Sequence, residues 1–268
     1  MMRVVPWEHL AGLVAYRETP CALSVGVFDG VHLGHRTIIR GITAADRGLL
    51  PVVVTFTRPP QNVLDPDPAR KILLAPERKL AILGSLGVAV AVVIDFSPEF
   101  SKMTATSFFE ALSGAFRVNR MVEGENFHFG RDRAAGRQAL AGFCHRIGAS
   151  LHTAETVMFK GLPVSSTRIR HAVRAGMMED VRTMLAGPYP LDLPADGRDA
   201  GADGTLVIEK HHLAQILPDK GTFRCGTDGG GAADVVIDKE RIFIRMDRPS
   251  IETLYFEEKT TPESRGRA

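Results

Sequence analysis

From Cys21 to Ala154, short apolar runs alternate with amphipathic segments of helical length, the βαβ pattern of a parallel sheet covered on both faces. CALSVGVF, PVVVTF, VAVAVVID, VNRMVEG and ASLHTAE read as the strands, each rich in Val, Ala or Ile. The helices between them are expected to start near Gly34, Pro76, Thr104 and Arg133, with Thr104 or Thr106 as a cap and Pro76 in a first turn. In STRIRHAVRAGMMEDVRTML, apolar Ile169, Val173, Val181 and Leu185 recur at helical spacing, which predicts two short helices broken near Gly176. AGPYPLDLPADGRDAGADG then concentrates Pro, Gly and Asp as a linker does. TLVIEK, TFRCG, DVVIDK, RIFIRM and ETLYFE follow as brief strands separated by turn residues. The predicted architecture is an α/β, Rossmann-like parallel sheet flanked by helices over residues 1–190, a small all-β, barrel-like domain over 191–258 and a disordered tail over 259–268.

Composition narrows the class. With 44% apolar and 24% charged residues over 268 positions, the chain can build a core and is not disordered. Its 33 basic residues are balanced by 31 acidic ones, a net +2, so no nucleic-acid footprint is expected. Cys21, Cys144 and Cys225 are far apart and odd in number, which fits neither a disulfide framework nor a zinc site and points to a reducing cytoplasm. No uncharged stretch approaches membrane-spanning length, so no membrane partner is expected. Short β modules expose edges that can pair, which leaves a homo-oligomer open.

The chemistry concentrates in SVGVFDGVHLGHRTII, Ser24 to Ile39, where a strand hands over to a helix. In an open parallel sheet, ligands gather at the carboxyl ends of strands, where helix N-termini offer unpaired N–H groups to anions. Gly26 and Gly30 permit close backbone approach, and His32 and His35 add donors that can follow charge growing on a phosphate. With Phe28 and Asp29 they form a candidate phosphate-binding turn, Asp29 being read mainly as a brace. Ser165, Ser166 and Thr167 begin a second helix and can cap it while binding phosphate. Arg168 and Arg170 point about 200° apart on a helix, so one ligand takes only one of them. Phe127 and Phe129 alternate on one face, where core packing competes with stacking on an aromatic ligand. His211 and His212 are adjacent, and as strand residues they would face opposite sides, against a shared metal.

GVFDGVHLGH resembles the (H/T)xGH signature of nucleotidylyltransferases and is most similar to the adenylyltransferase module of prokaryotic bifunctional riboflavin kinase/FAD synthetases. VTFTRPPQNVL falls where that family has TF-x-P-H-P, EGENFHFGRDRAAG resembles its G-x-D-F-x-F-G-x-x-x-x-G loop, and VSSTRIRHAVRAGMMEDVRTMLAGPY resembles its I-S-S-T-x-I-R helix pair. The resemblance implies a magnesium-dependent transfer of AMP from ATP to FMN, giving FAD and pyrophosphate. His32 and His35 would contact the ATP phosphates, while Ser165, Ser166, Thr167 and Arg170 would hold the β- and γ-phosphates. No covalent enzyme intermediate is needed, because such a transfer rests on positioning and charge neutralisation.

Departures from the family pattern gather on the acceptor side. Val27 stands where the family has asparagine, Pro59 where it has histidine, Asn126 where it has aspartate, and Gly187 where it has arginine. Arg58, Asn62, Asn126, Phe127 and Phe129 are therefore candidate acceptor-binding residues, with Arg58 able to take a phosphate bidentately. The acceptor is FMN or another phosphorylated compound, and a nucleotide- or flavin-binding protein without turnover is the alternative from another class. The family's kinase element G-R-x-x-G-x-P-T-x-N is matched only in its first part by GRDAG, and Thr205 lacks the neighbouring Pro and Asn, so kinase activity is expected to be lost.

Overall fold

The computed structural model describes residues 1–44, 48–65, 71–125, 127–129, 135–201, 204–246 and 251–260. The chain divides into two compact units, Met1–Asp67 with Pro76–Pro163, and Pro68–Ala75 with Val164–Ala268.

The first unit runs β1 (Arg3–Pro6), β2 (Pro20–Val25), α1 (Leu33–Thr43), β3 (Leu50–Phe56), α2 (Pro60–Leu64), α3 (Pro76–Ser85), β4 (Val90–Ile94), α4 (Ala105–Ala115) and β5 (Arg117–Gly124). It continues with the short β6 (His128–Phe129) and β7 (Ala135–Gly136), then α5 (Arg137–Ile147), β8 (Ser150–Ala154), β9 (Met158–Phe159) and β10 (Leu162–Pro163). The main sheet has the order β1-β4-β3-β2-β5-β8, and every pair in it is parallel. Because β3 and β4 extend from one side of β2 while β5 and β8 extend from the other, the order reverses between β2 and β5, the place where open α/β sheets bind ligands. Both faces are closed: Val52, Val53, Val54 and Thr55 of β3 are all buried. On one face Leu23, Val54, Met121, Phe108, Leu112, Leu140 and Phe143 share a core cluster. Of the two caps the sequence offers, Thr104 is the one observed on α4, its hydroxyl accepting from Ser107 N–H at 3.1 Å.

The second unit holds α6 (Ser166–Arg174) and α7 (Met178–Leu185), which turn at Gly176 in a left-handed conformation, φ 71°. An antiparallel, barrel-like sheet follows: β11 (Tyr189–Asp192), β12 (Arg198–Ala200), β13 (Leu206–Glu209), β14 (Gly221–Thr227), β15 (Ala232–Ile237), β16 (Arg241–Met246) and β17 (Thr253–Thr260). Its order is β11-β17-β14-β15-β16-β13-β12. Phe223 and Phe256 meet edge to face at 5.4 Å in its core.

Several elements differ from the sequence reading. The stretch expected as a linker contains β11 and β12, because strand pairing overrides its Pro, Gly and Asp content. The expected boundary at residue 190 therefore falls inside β11. Lys259 and Thr260, expected in a disordered tail, pair with Phe223 and Thr222 in β17. The N-terminal β1 was not anticipated, being only four residues long. The helix expected near Arg133 is observed from Arg137, and Arg133 itself lies outside the described residues. His211 and His212 lie on a 3-10 turn, Lys210–His212, not in a strand, and their rings are 4.1 Å apart.

Residues 71–75 belong to the second unit although the chain on either side of them belongs to the first. Buried Gln215 fastens them: its Nε2 donates to Leu73 O at 3.0 Å and Pro190 O at 2.8 Å, and its Oε1 accepts from Asp192 N–H at 2.8 Å. Gln215→Leu leaves three backbone groups without that partner and is expected to cost on the order of 3 kcal/mol. Urea unfolding measures this; a loss within experimental scatter of zero would refute the fastening role.

Candidate active site

Beyond Val25 the strand β2 gives way to a turn of unusual backbone. Phe28 (φ 51°), Gly30 (φ 88°) and Val31 (φ 37°) all have positive φ, which is a true outlier for a β-branched residue. Such strain persists only where the surroundings over-determine it. Here they do: Val31 N–H donates to Phe28 O at 3.1 Å, Val31 O accepts from Arg36 Nε at 3.1 Å, and both side chains are buried. Gly26 is required because a Cβ there would come within 2.9 Å of the Phe28 ring. Phe28 thus packs back over its own strand, and its side chain shapes the turn from beneath.

The turn delivers the two histidines as expected. His32 is the N-cap of α1, and its Nδ1 accepts the His35 backbone N–H at 3.3 Å, which places the proton of a neutral His32 ring on Nε2. The His32 and His35 rings stack at 3.6 Å, and Phe28 meets His35 edge-on at 5.3 Å. His35 as a whole is half-buried, but its Nδ1 is sealed from solvent with no hydrogen-bond partner among the described residues. Burial, then His32, then Lys79 hold the His35 imidazole well below its ordinary pKa. It is therefore neutral at physiological pH.

Two buried ionisable residues complete the centre, and neither was singled out by the sequence. Lys79 of α3 donates from Nζ to Val27 O at 3.3 Å and to Phe56 O. Burial pushes its ammonium down to about 8, with Asp29 opposing. Asp29, itself buried, thus faces a cation. On the other side of β2, Glu123 of β5 accepts Val25 N–H at 2.7 Å, where strands β2 and β5 part after the Leu23–Met121 pair. Burial raises its carboxyl well above the ordinary value, partly offset by that hydrogen bond. A lysine at a helical core position and a glutamate in a strand run were the available signals.

The remaining candidates divide. Ser165 caps α6 in the second unit, its Oγ accepting Arg168 N–H at 3.2 Å, and Ser166 and Thr167 occupy the first turn. Arg170 donates from Nε to Lys71 O at 2.9 Å, within the same unit. Arg174 pairs with exposed Asp219 at 3.1 Å. Arg58 is exposed and lies 3.9 Å from Asp95. Asn62 sits in α2, its N–H bonded to Pro59 O. Phe127 packs against the core of the first unit, the competing reading of that residue. Asn126 lies outside the described residues, and of Phe129 only the backbone is described.

A family model described as FAD synthetase matches residues 15–168. Curated relatives named bifunctional riboflavin kinase/FMN adenylyltransferase include one from Pseudomonas fluorescens, 32% identical over 63% of this chain and 55% of its own length. Those from Listeria monocytogenes and Escherichia coli K12 are 30% and 29% identical, over 70% and 64% of this chain and 60% and 56% of theirs. The chain thus spans little more than half the length of these relatives. A solved structure described as a macrolide-efflux protein from Streptococcus pneumoniae superposes with a TM-score of 0.78 over 100% of this chain and 94% of that one. At 20% identity, that is a likeness of fold.

The sign of the Glu123 shift gives a test. A carboxyl raised by folding makes the fold favour its protonated form, so stability declines as pH rises from the ordinary carboxyl value toward the raised one. Glu123→Gln keeps an acceptor for Val25 and does not titrate. Its unfolding free energy is expected to fall less than that of the parent between about pH 5 and about pH 8, by urea titration. Parallel profiles would contradict the buried, proton-bearing carboxyl.

Proposed function

The chain belongs to the FAD synthetase family, and from that membership we propose that it transfers the AMP of ATP to FMN, giving FAD and pyrophosphate. The observation that carries this reading is the stacked His32–His35 pair on a strained strand-to-helix turn, beside the point where the parallel sheet reverses order. An FMN phosphate oxygen attacks the α-phosphorus of ATP, the bond to the bridging oxygen breaks, and pyrophosphate departs with that electron pair. His32, with its proton on Nε2, and neutral His35 supply hydrogen-bond donors to the phosphates as charge shifts among them. Gly26, Phe28, Asp29 and Gly30 shape the turn, and the family resemblance of the SSTRIR stretch assigns Ser165, Ser166, Thr167 and Arg170 to the β- and γ-phosphates.

Magnesium is read as part of the donor. Asp29 already faces Lys79, and among the described residues no three His, Cys, Asp or Glu side chains gather for a metal. The ion is expected to arrive on the triphosphate, as magnesium commonly does. For the acceptor, exposed Arg58 is the candidate phosphate ligand. The second unit is read as lacking riboflavin kinase activity. Arg198 of its GRDAG stretch donates to Pro194 O, Leu193 O and Ile251 O, a backbone-bracing role, and Thr205 has no Pro or Asn beside it. No helix among the described residues is long and apolar enough to cross a membrane.

Incubation with ATP, magnesium and FMN is expected to yield equimolar FAD and pyrophosphate, while riboflavin in place of FMN yields no FMN. His32→Ala and His35→Ala are each expected to lower kcat by roughly a hundred- to thousandfold. Turnover of a different phosphorylated acceptor but not FMN would reject the flavin assignment. Tight ATP binding with no pyrophosphate released would favour a binding protein.

A further inference from the structure

Parallel β2 and β3 pair residue by residue up to Val25 and Val54, and Gly26 N–H still reaches Val54 O at 3.0 Å. If the ladder continued, the next acceptor, Phe56 O, would receive the N–H of Phe28. Phe28 has instead turned away with φ 51°, so Phe56 O and Val27 O end the strands without ladder donors. The buried Lys79 ammonium supplies donors to both, and Thr55 Oγ1 adds a second to Val27 O at 3.1 Å. A lysine carries three donors and a full charge, whereas a neutral side chain could have satisfied the same carbonyls without the desolvation cost of a buried cation. The charge is turned toward the histidine turn: Asp29 favours it, and His35 feels it as a like charge.

Resting on the adenylyl-transfer reading, we propose that Lys79 is a positioning residue of this centre, whose ammonium fastens the ends of β2 and β3 and holds the histidine turn in the form that binds the triphosphate. Its charge does two things there. It adds to the burial and the His32 ring that hold the neighbouring imidazole neutral, and it brings positive charge to a point where Val27 and Phe56 present carbonyl oxygens. Asp29 acts on Lys79 and His35 feels its charge, both on the β2–α1 segment; in the chain, Arg58 and Asp95 follow β3 and β4, and Glu77 and Arg78 precede it on its own helix. Of these, Arg58, Asp95 and Glu77 are exposed. Because burial pushes the Lys79 ammonium down to about 8, a triphosphate bound beside it would favour the ammonium and draw in a proton at mildly alkaline pH.

The full chain tests this in two ways. In Lys79→Met, kcat for FAD formation is expected to fall on the order of a hundredfold through misplacement of the turn, with ATP bound more weakly and the acid limb of kcat/KM moved to higher pH. Lys79→Arg, which keeps charge and donors, is expected to restore part of kcat. A folded Lys79→Met with the parent's ATP affinity, kcat and pH profile would overturn the proposal. The second measurement needs neither turnover nor that variant: calorimetric titration of ATP at about pH 8.5 in buffers of different ionisation enthalpy. The parent is expected to take up a fraction of a proton per ATP, and Lys79→Arg, whose side chain stays charged, less. Equal uptake in the two would overturn the proposal. Binding of ATP by the parent without FAD formation would instead count against the adenylyl-transfer reading, with the calorimetric comparison still deciding the role of Lys79.

Discussion

Where β2 stops, the sheet leaves backbone groups that no neighbouring strand can satisfy, and two buried ionisable side chains take them over. Glu123 accepts Val25 N–H on the β5 side, and Lys79 donates to Val27 O and Phe56 O on the β3 side. Burying either group costs free energy, since both have pKa values displaced toward their neutral forms. What that cost secures is a strand end that opens at once, so that Phe28 and Val31 can adopt left-handed backbone and deliver His32 to the cap of α1. The strained turn, fixed within by its own hydrogen bonds and burial, is thus also held at both flanks.

The same arrangement explains the electrostatics of the histidine pair. Burial disfavours charge on His35 most, the His32 ring stacked 3.6 Å away adds to it, and the Lys79 ammonium adds a little more. His35 therefore enters any reaction as a neutral ring, and His32 is fixed in one tautomer by its capping bond. Neutral, oriented donors suit a transfer in which charge moves among phosphate oxygens and no proton need be stored on the protein.

Much of this was legible in the sequence. The strand and helix periods gave the parallel sheet, the α6–α7 break at Gly176 and the histidine turn, because each is encoded by local spacing. What was not legible is non-local. β11 forms from residues of turn-like composition because β17, more than 60 residues away, offers it a partner; β12 is the local exception, pairing with β13 6 to 10 residues on. Lys79 looks like any helix lysine until α3 lays it against the ends of two strands, and Glu123 looks like a strand-edge carboxylate until Val25 claims it. The place of Phe127 in the core was a competing reading that sequence could not decide, since an alternating aromatic fits either role.

On the proposed reading, the strained turn after β2 is a phosphate-binding centre built around the His32–His35 pair. Imidazole NMR of the intact protein, with ATP titrated in, addresses it directly. The ring signals of both histidines are expected to move together and saturate with ATP, His35 staying neutral throughout. Saturable ATP binding that leaves both rings unmoved would contradict it.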